Sequence, residues 1–293
     1  MSATYTINDL ERLTGIKAHT IRIWERRYGL FSPQRTKTNI RTYRDDDLRK
    51  VLNVNTLIKN GWKISKISVL NAQELEARVW DSMKHARTAA EEHDIYIQAL
   101  IAATMSFDEE WFDTVFTDVT TRYGMSLAMQ HVIAPFLERI GVMWTVVRLH
   151  PGQEHFASNL IRRKMLSAID RLPRIGSKGR FLLFLPPWEE HEIGLIYASY
   201  LLKSAGYEVI YLGQRVPLQA LTETIAAVEP KAMLTFFSAE ISEKEIRELL
   251  DTILARKTGV PLYLAARKEI LERVSLSDKV KLLDSPQALM NIL

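Results

Sequence analysis

Short apolar segments alternate with amphipathic ones from residue 178 to the end of the chain. Buried parallel strands are continuous apolar runs, and their regular alternation with helices favours a parallel sheet that helices cover on both faces. We therefore predict such a sheet over residues 178–293. The predicted strands are Phe181–Leu185, Glu208–Leu212, Ala232–Phe237, Leu262–Ala265 and Val280–Leu283. The predicted helices are Gly194–Ala205, Leu218–Val228, Ser242–Arg256, Ala266–Val274 and Pro286–Leu293.

Three loops of this sheet, which begin at Pro186, Ser238 and Ala265, are expected on the same edge, where open α/β sheets bind ligands. The first loop carries His191 among three glutamates, of which a carboxylate could orient the ring of a metal-ligating histidine. The alternative is an exposed polar loop that happens to contain a histidine. No Gly-x-Gly-x-x-Gly or Walker-type loop is present, so a dinucleotide or nucleoside triphosphate is not supported.

The composition is that of an ordinary soluble globular protein, with 47% hydrophobic and 25% charged residues. A chain of 293 residues is expected to form two or three domains. No apolar run is long enough to span a membrane, and the polar N-terminus lacks a signal-peptide pattern, so we expect a cytoplasmic protein. The absence of cysteine excludes disulfides and thiolate chemistry.

Charge is distributed unevenly along the chain. Residues 1–70 contain 14 Lys and Arg against 6 Asp and Glu, although the net charge of the whole chain is only +4. The remainder of the chain is therefore mildly acidic. A basic N-terminal module on an acidic body suggests that the module binds a polyanion.

Two short helices are predicted inside this basic module, over Tyr5–Gly15 and Ala18–Tyr28. Thr6 or Asn8 could cap the first helix, and Gly15 ends it. A short helix followed by a strongly basic one is the helix-turn-helix pattern, in which the second helix enters the major groove of DNA. A β-hairpin with a polar tip is predicted next, over Phe31–Tyr43, as a phosphate-contacting wing.

The middle of the chain, residues 72–172, is helical by pattern and is expected to form a bundle. Its predicted helices cover residues 73–87, 90–103, 108–121, 125–143 and 153–171. Trp144 follows one helix, and Glu154 and His155 begin the next. Trp144 could simply belong to the bundle core, and Glu154 could simply favour a first helical turn.

The N-terminal motifs resemble the winged-helix DNA-binding domain of MerR-family transcription regulators. The resemblance rests on Arg22-x-Trp-Glu-Arg-Arg-Tyr-Gly-Leu30, Pro33-x-Arg35, Arg41-x-Tyr43 and Asn60-Gly61-Trp62. It implies a winged helix-turn-helix domain over residues 1–70 that binds double-stranded operator DNA as part of a dimer. The DNA-contacting residues are then His19, Thr20, Arg22, Arg26, Arg27, Tyr28, Arg35, Lys37, Arg41 and Tyr43.

Two further motifs resemble cobalamin-binding proteins. Glu189-x-His191-x-x-Gly194 is similar to the Asp-x-His-x-x-Gly motif of cobalamin-binding Rossmann-like domains, and Trp144-x9-Glu154-His155 is similar to the helical bundle that caps them. The order of the three parts resembles the cobalamin-dependent, often light-responsive, repressors of the MerR family. The parts are the DNA-binding domain over 1–70 (the head), a bundle over 72–172 and a Rossmann-like (flavodoxin-like) sheet over 178–293. The resemblance implies a repressor without enzymatic turnover, which assembles as a dimer or tetramer.

This resemblance also implies roles for individual residues. His191 is expected to ligate the cobalt of adenosylcobalamin or methylcobalamin from below, with Glu189 orienting its ring. Gly194 is expected to leave a slot for the nucleotide tail. The remaining expected cofactor contacts are Trp144, Glu154 and His155 from the bundle, and Ser238, Ala265 and Ala266 from the sheet.

The chain departs from that family at two loops. Ala265-Ala266 replaces the usual Gly-Gly pair, and Ser238-Ala239-Glu240 replaces Ser/Thr-x-Leu. A second hypothesis is therefore a regulator whose cobalamin fold takes no cofactor and acts through assembly or a regulatory protein partner. A third, a corrinoid enzyme or methyl carrier, would need a catalytic module for which 293 residues leave no room.

Overall fold

The computed structural model describes residues 4–36, 38–83, 88–147, 151–173, 178–238, 241–254, 259–266, 277–283 and 288–289. The chain forms two compact units, Met1–Leu160 and Ile161–Leu293. No helix within the described ranges is both long enough and apolar enough to cross a membrane.

The N-terminal part of the first unit is a winged helix-turn-helix. Its first helix is capped by Thr6, whose hydroxyl accepts from the Asp9 amide at 3.3 Å while the Asp9 carboxylate accepts from the Thr6 amide at 2.7 Å. Gly15, at φ +71°, ends that helix in the left-handed region. The elements are β1 (Thr4–Tyr5), α1 (Ile7–Thr14), α2 (Ala18–Tyr28), β2 (Gln34–Arg35), β3 (Arg41–Arg44), α3 (Asp45–Lys59) and α4 (Ile64–Ile67).

Strand β1 is absent from the sequence-based prediction, which places Tyr5 at the start of a helix. In the structure Tyr5 pairs with Tyr43 in an antiparallel sheet of order β1-β3-β2. A two-residue strand is too short to produce a periodic pattern. Thr6, which follows β1, also takes β-region backbone angles because it caps α1.

The rest of the first unit is a helical bundle. Gly124, at φ +74°, interrupts α7 at the predicted break between residues 121 and 125. A wide π-turn over Met129–Ile133 precedes Pro135, which cannot donate a backbone hydrogen bond. The helices are α5 (Ala72–Met83), α6 (Ala89–Met105), α7 (Glu109–Ala128), α8 (Ala134–Val147) and α9 (Pro151–Asp170), and α9 continues into the second unit.

The second unit contains the predicted parallel sheet, with strand order β5-β4-β6-β7-β8. Successive residues of β4 alternate between two buried clusters: Leu182 and Phe184 face α11 and α12, whereas Phe181 and Leu183 face α10. Both faces are therefore covered, and the predicted fold class is confirmed. The strands are β4 (Arg180–Phe184), β5 (Glu208–Gly213), β6 (Ala232–Phe237), β7 (Leu262–Ala266) and β8 (Val280–Leu282), and the helices are α10 (Ile193–Ser204), α11 (Leu218–Val228) and α12 (Glu243–Leu254).

The last two strands differ from the prediction by one residue each, and β8 ends at Leu282 instead of Leu283. Ala266 ends β7 instead of starting a helix, because it pairs with Phe237 of β6. The remainder of the helix predicted over Ala266–Val274 lies outside the described residues. So does most of the one predicted over Pro286–Leu293, of which Ala288 and Leu289 are helical.

The strand order places a crevice beside β4. This strand lies between β5 and β6, so the chain reverses its direction of growth across the sheet at that position. Ligands of open α/β sheets bind in the crevice outside the carboxyl ends of the strands at such a switch point. The loops after β4 and β6 border this crevice.

Leu264 and Leu282 provide a matched test of the sheet core, since they are register partners on β7 and β8. Leu264 is fully buried, whereas Leu282 on the edge strand is 43% exposed. We expect Leu264→Ala to lower the free energy of unfolding of the second unit by about 2 to 5 kcal/mol. Leu282→Ala should change it by about 0.5 kcal/mol or less. Denaturant unfolding of both variants checks the difference, and equal losses would contradict this register.

Candidate functional site

The loop after β4 is organised by the carboxylate of Glu189, which is fully buried. Its Oε1 accepts from the backbone amides of Glu190 and His191, each at 2.9 Å. Its Oε2 accepts from the backbone amide of Ser238 at 2.6 Å and from the Ser238 hydroxyl at 3.3 Å. Ser238 follows β6, so this one side chain connects the two loops that border the switch-point crevice.

His191 is held by the same carboxylate. Its Nδ1 lies 2.7 Å from Glu189 Oε1, while its side chain remains 71% exposed. A carboxylate on one ring nitrogen fixes the ring orientation and makes the other nitrogen the better ligand. The structure therefore brings together three predicted site residues, Glu189, His191 and Ser238, and leaves Nε2 as the ring nitrogen of His191 that does not face Glu189.

A second buried carboxylate supports the end of the loop. Glu192 is paired with Arg162 of α9 and accepts from the Tyr211 hydroxyl at 3.1 Å. Burial, together with the charge of Glu192, raises the pKa of Tyr211, so the phenol stays protonated and remains a donor. Neither Arg162 nor Tyr211 is among the site residues predicted from the sequence, because both act through a partner that is distant along the chain.

Gly194, Ala265 and Ala266 occupy the neighbourhood of this loop. A methyl group at Gly194 would meet the ring of Phe236 at 3.7 Å, an ordinary van der Waals distance. Ala265 and Ala266 end β7 and pack against opposite faces of the sheet. The indole of Trp188 lies 6.5 Å from the ring of Phe237, in the same cluster as Ala266. Ala239 and Glu240 lie outside the described residues.

The predicted cofactor residues of the bundle belong to the first unit. Trp144 lies near the end of α8, and its side chain is outside the described part of the chain. Glu154 and His155 occupy the first turn of α9, with His155 Nδ1 3.4 Å from the Glu154 carboxylate. A cofactor role for these three residues stays a prediction.

Helix α2 presents a basic face. Ile21 and Trp24 are buried and anchor the helix, whereas the side chains of the opposite face are exposed. Arg35 on the wing is exposed as well and donates to Asn39 at 2.6 Å. The exposed residues of α2 are His19, Arg22, Arg26 and Arg27, with Thr20 and Tyr28 half-buried, while Lys37 lies outside the described residues.

Tyr43 requires a different role from the predicted DNA contact, because it is fully buried. Its hydroxyl lies 3.4 Å from the Glu25 carboxylate, and Arg41 Nε donates to both oxygens of the same carboxylate at 3.1 and 3.0 Å. Burial and the charge of Glu25 raise the pKa of Tyr43 to about 12. Tyr43 and Arg41 therefore connect the wing to α2. Because Arg41 is half-buried, less of its side chain is accessible to DNA than expected.

Comparisons with known proteins find relatives of the N-terminal domain and of the whole chain. Residues 5–74 match the family of MerR HTH regulatory proteins. The chain is 31% identical over 288 residues to the HTH-type transcriptional repressor CarH of Myxococcus xanthus, covering 93% of this chain and 94% of that protein. It is 28% identical over 288 residues to the HTH-type transcriptional repressor CarA of the same organism, covering 93% and 91% of the two chains.

Among solved structures, the monomethylamine corrinoid protein of Methanosarcina barkeri has a similar fold. The TM-score is 0.53 at 12% sequence identity, over 74% of this chain and 97% of that one. At this level of identity the similarity concerns the fold alone.

We expect Glu189→Gln to lower the free energy of unfolding of the second unit by about 1 to 3 kcal/mol, because a buried amide cannot accept the hydrogen bonds that both carboxylate oxygens now accept. Denaturant unfolding measures this loss. The tautomer of His191, followed by the ¹⁵N shifts of its ring, should also become less uniform in this variant.

The matched control is Glu190→Gln, which alters the adjacent exposed carboxylate that pairs with Arg215. Exposed ion pairs contribute about 0 to 1 kcal/mol, so this variant should unfold nearly as the wild type does. Equal stability of the two variants would show that Glu189 does not organise the loop.

Proposed function

We propose that this chain controls its affinity for operator DNA through a bound cobalamin. The chain belongs to the MerR-type HTH transcriptional repressors that include CarH and CarA. Membership of that family makes the chain a DNA-binding transcription regulator and not an enzyme. The cobalamin, the change of assembly that it causes and any response to light are the proposed part. The resemblance of Glu189-x-His191-x-x-Gly194 to a cobalamin-binding motif suggests this cofactor.

The observation that carries the proposal is the pairing of His191 with Glu189. A surface histidine without such a partner rotates and exchanges its proton between two nitrogens. Here a fully buried carboxylate lies 2.7 Å from Nδ1, while most of the ring is exposed beside the switch-point crevice. Such an arrangement positions Nε2 to ligate a metal ion.

The donor set fits a metal that brings most of its own ligands. No three His, Asp or Glu side chains within the described residues converge on a point where they could hold an ion. One well-oriented imidazole is too little for a bare Zn²⁺ site, which needs three or four protein ligands. It would be sufficient for an ion that a bound macrocycle already holds, to which His191 would add one ligand.

Cobalamin, when bound, would supply a cobalt ion whose bond to an exchangeable organic group is sensitive to light. The chain supplies the surroundings of that ion. Glu189 would orient the ring of His191 through Nδ1, and the same carboxylate accepts from the amide and the hydroxyl of Ser238. Glu192, Arg162 and Tyr211 fix the end of the loop on which His191 lies.

A change in the oligomeric state of the chain would change its affinity for DNA. A dimer or tetramer joins several DNA-binding heads, and joined heads bind neighbouring half-sites with a raised effective concentration. A ligand can shift such an assembly only by as much as its affinities for the two states differ. We propose that a cobalamin on His191 supplies this difference.

A second candidate function is a repressor that needs no cofactor. Two features around the crevice favour it. Ala265 and Ala266 place methyl groups where a Gly-Gly pair would leave room, and Trp188 packs against Phe237 in the cluster that contains Ala266. In that case the second unit would act in assembly or in binding a regulatory protein.

Cobalamin binding is tested by mixing the purified chain with adenosylcobalamin or methylcobalamin in the dark, removing free cofactor and recording the visible spectrum. We expect coloured protein, in which His191→Ala shifts the spectrum away from that of a histidine-ligated corrinoid. His131→Ala, which removes an exposed histidine from the π-turn of the bundle, is the matched control and should leave the spectrum unchanged. Colourless wild-type protein would favour the cofactor-free candidate.

DNA reading by α2 is tested with a duplex selected from a random pool by the wild-type chain. We expect Arg22→Ala and Arg26→Ala each to weaken binding by about 1 to 3 kcal/mol if the guanidinium contacts a base, or to lower the salt slope by about one if it contacts phosphate. Fluorescence anisotropy at several salt concentrations distinguishes the two. Lys231→Ala, an exposed cation of the second unit, is the control; unchanged binding by both arginine variants would refute the assigned face.

A further inference from the structure

Gln153 is a buried polar residue at the boundary between the DNA-binding head and the bundle. It lies in the first turn of α9, and its side chain is 1% exposed. Its amide donates to the carbonyl of Met105 at 2.9 Å and to Oδ1 of Asp45 at 3.3 Å. Met105 ends α6 and Asp45 begins α3, so one amide group links two bundle helices to the head.

The contacts continue from Asp45 towards the DNA-reading surface. The Tyr5 hydroxyl donates to Oδ1 of Asp45 at 2.7 Å. Tyr5 pairs with Tyr43 across the β1–β3 ladder, and Tyr43 reaches the Glu25 carboxylate on α2. A continuous chain of contacts therefore extends from the first turn of α9 to the recognition helix.

The residues in this chain of contacts are expected to move together. Burial and the charge of Asp45 raise the pKa of Tyr5, so its phenol remains a donor at physiological pH. The hydrogen bond from Gln153 to Met105 is buried and the two to Asp45 are partly buried, so breaking them is costly unless their partners move together.

Ion pairs along α3 also connect the head to the bundle. Arg49 pairs with Glu76 of α5 and lies 3.5 Å from Asp108, while Lys59 lies 3.2 Å from Asp94 of α6. Both basic residues belong to α3, the helix that Asp45 begins. These ion pairs connect the head to α5 and α6, in addition to the link through Gln153.

We infer that Gln153 couples the first turn of α9 to the DNA-reading head, so that binding of DNA at α2 and a change at residues 154 and 155 each bias the other. Coupling of this kind is reciprocal by thermodynamic necessity. The coupling itself needs only the binding of DNA. It rests on the proposed function for one point, that the signal reaching Glu154 and His155 is a cobalamin.

Reciprocity allows a test that needs no cofactor. Hydrogen exchange of the full-length chain is measured by mass spectrometry with and without the duplex selected from a random pool. In the wild type, saturation with duplex should slow exchange of the amides of residues 151–160 by about fivefold or more. In Gln153→Leu, which is close in size but has no donor, duplex should no longer change exchange there.

A second variant approaches the coupling from the head. Tyr5→Phe removes the hydroxyl that contacts Asp45 and keeps the buried ring, so the fold should be retained. We expect it to abolish the same change at residues 151–160, although it alters no residue of the bundle. Gln73→Leu, at an exposed glutamine on α5, is the control and should respond to duplex as the wild type does.

The inference is overturned if duplex leaves residues 151–160 of the wild type unchanged, or if both Gln153→Leu and Tyr5→Phe still respond. The visible spectrum of the same samples with adenosylcobalamin is an independent measurement. Colourless protein would contradict the proposed cofactor without affecting the exchange result, so the two failures are distinguishable.

Discussion

The candidate ligand site depends on one interaction, the acceptance of amide, hydroxyl and imidazole donors by the buried carboxylate of Glu189. A buried charge is costly unless donors surround it, and here they come from the loop after β4 and from Ser238 after β6. The carboxylate thereby fixes the distance between two loops that border the crevice beside β4. The same carboxylate orients His191, so loop structure and ligand geometry have a single cause.

The first unit also contains acidic side chains that accept hydrogen bonds from several segments of the chain. The Glu25 carboxylate accepts hydrogen bonds from Arg41 and Tyr43, and these contacts connect the wing to α2. The Asp45 carboxylate accepts hydrogen bonds from Tyr5 and Gln153, and these contacts connect the head to the bundle. In all three cases an acidic residue joins segments that are distant along the chain. Specific polar contacts of this kind determine position, whereas the apolar cores that surround them contribute most of the stability.

Much of the fold could be predicted because it has periodic causes. The strands of the second unit are continuous apolar runs, and the helix-turn-helix follows from Gly15 and the basic face of α2. Strand β1 could not be predicted, since two residues have no period. The Glu189–His191 pair could be predicted because its members are two residues apart, whereas Arg162, Tyr211 and Gln153 act through partners that are distant along the chain and give no local signal. The burial of Tyr43 depends on its pairing with β1, which the sequence does not reveal.

We propose that a cofactor on His191 changes the affinity of the DNA-binding heads for DNA. This effect is tested most directly by titrating the selected duplex with the chain, in the dark, with and without saturating adenosylcobalamin. We expect the apparent affinity of the wild type to change about fivefold or more and the affinity of His191→Ala to stay the same. If the wild type binds the cofactor and its affinity for the duplex stays the same, the claim is contradicted.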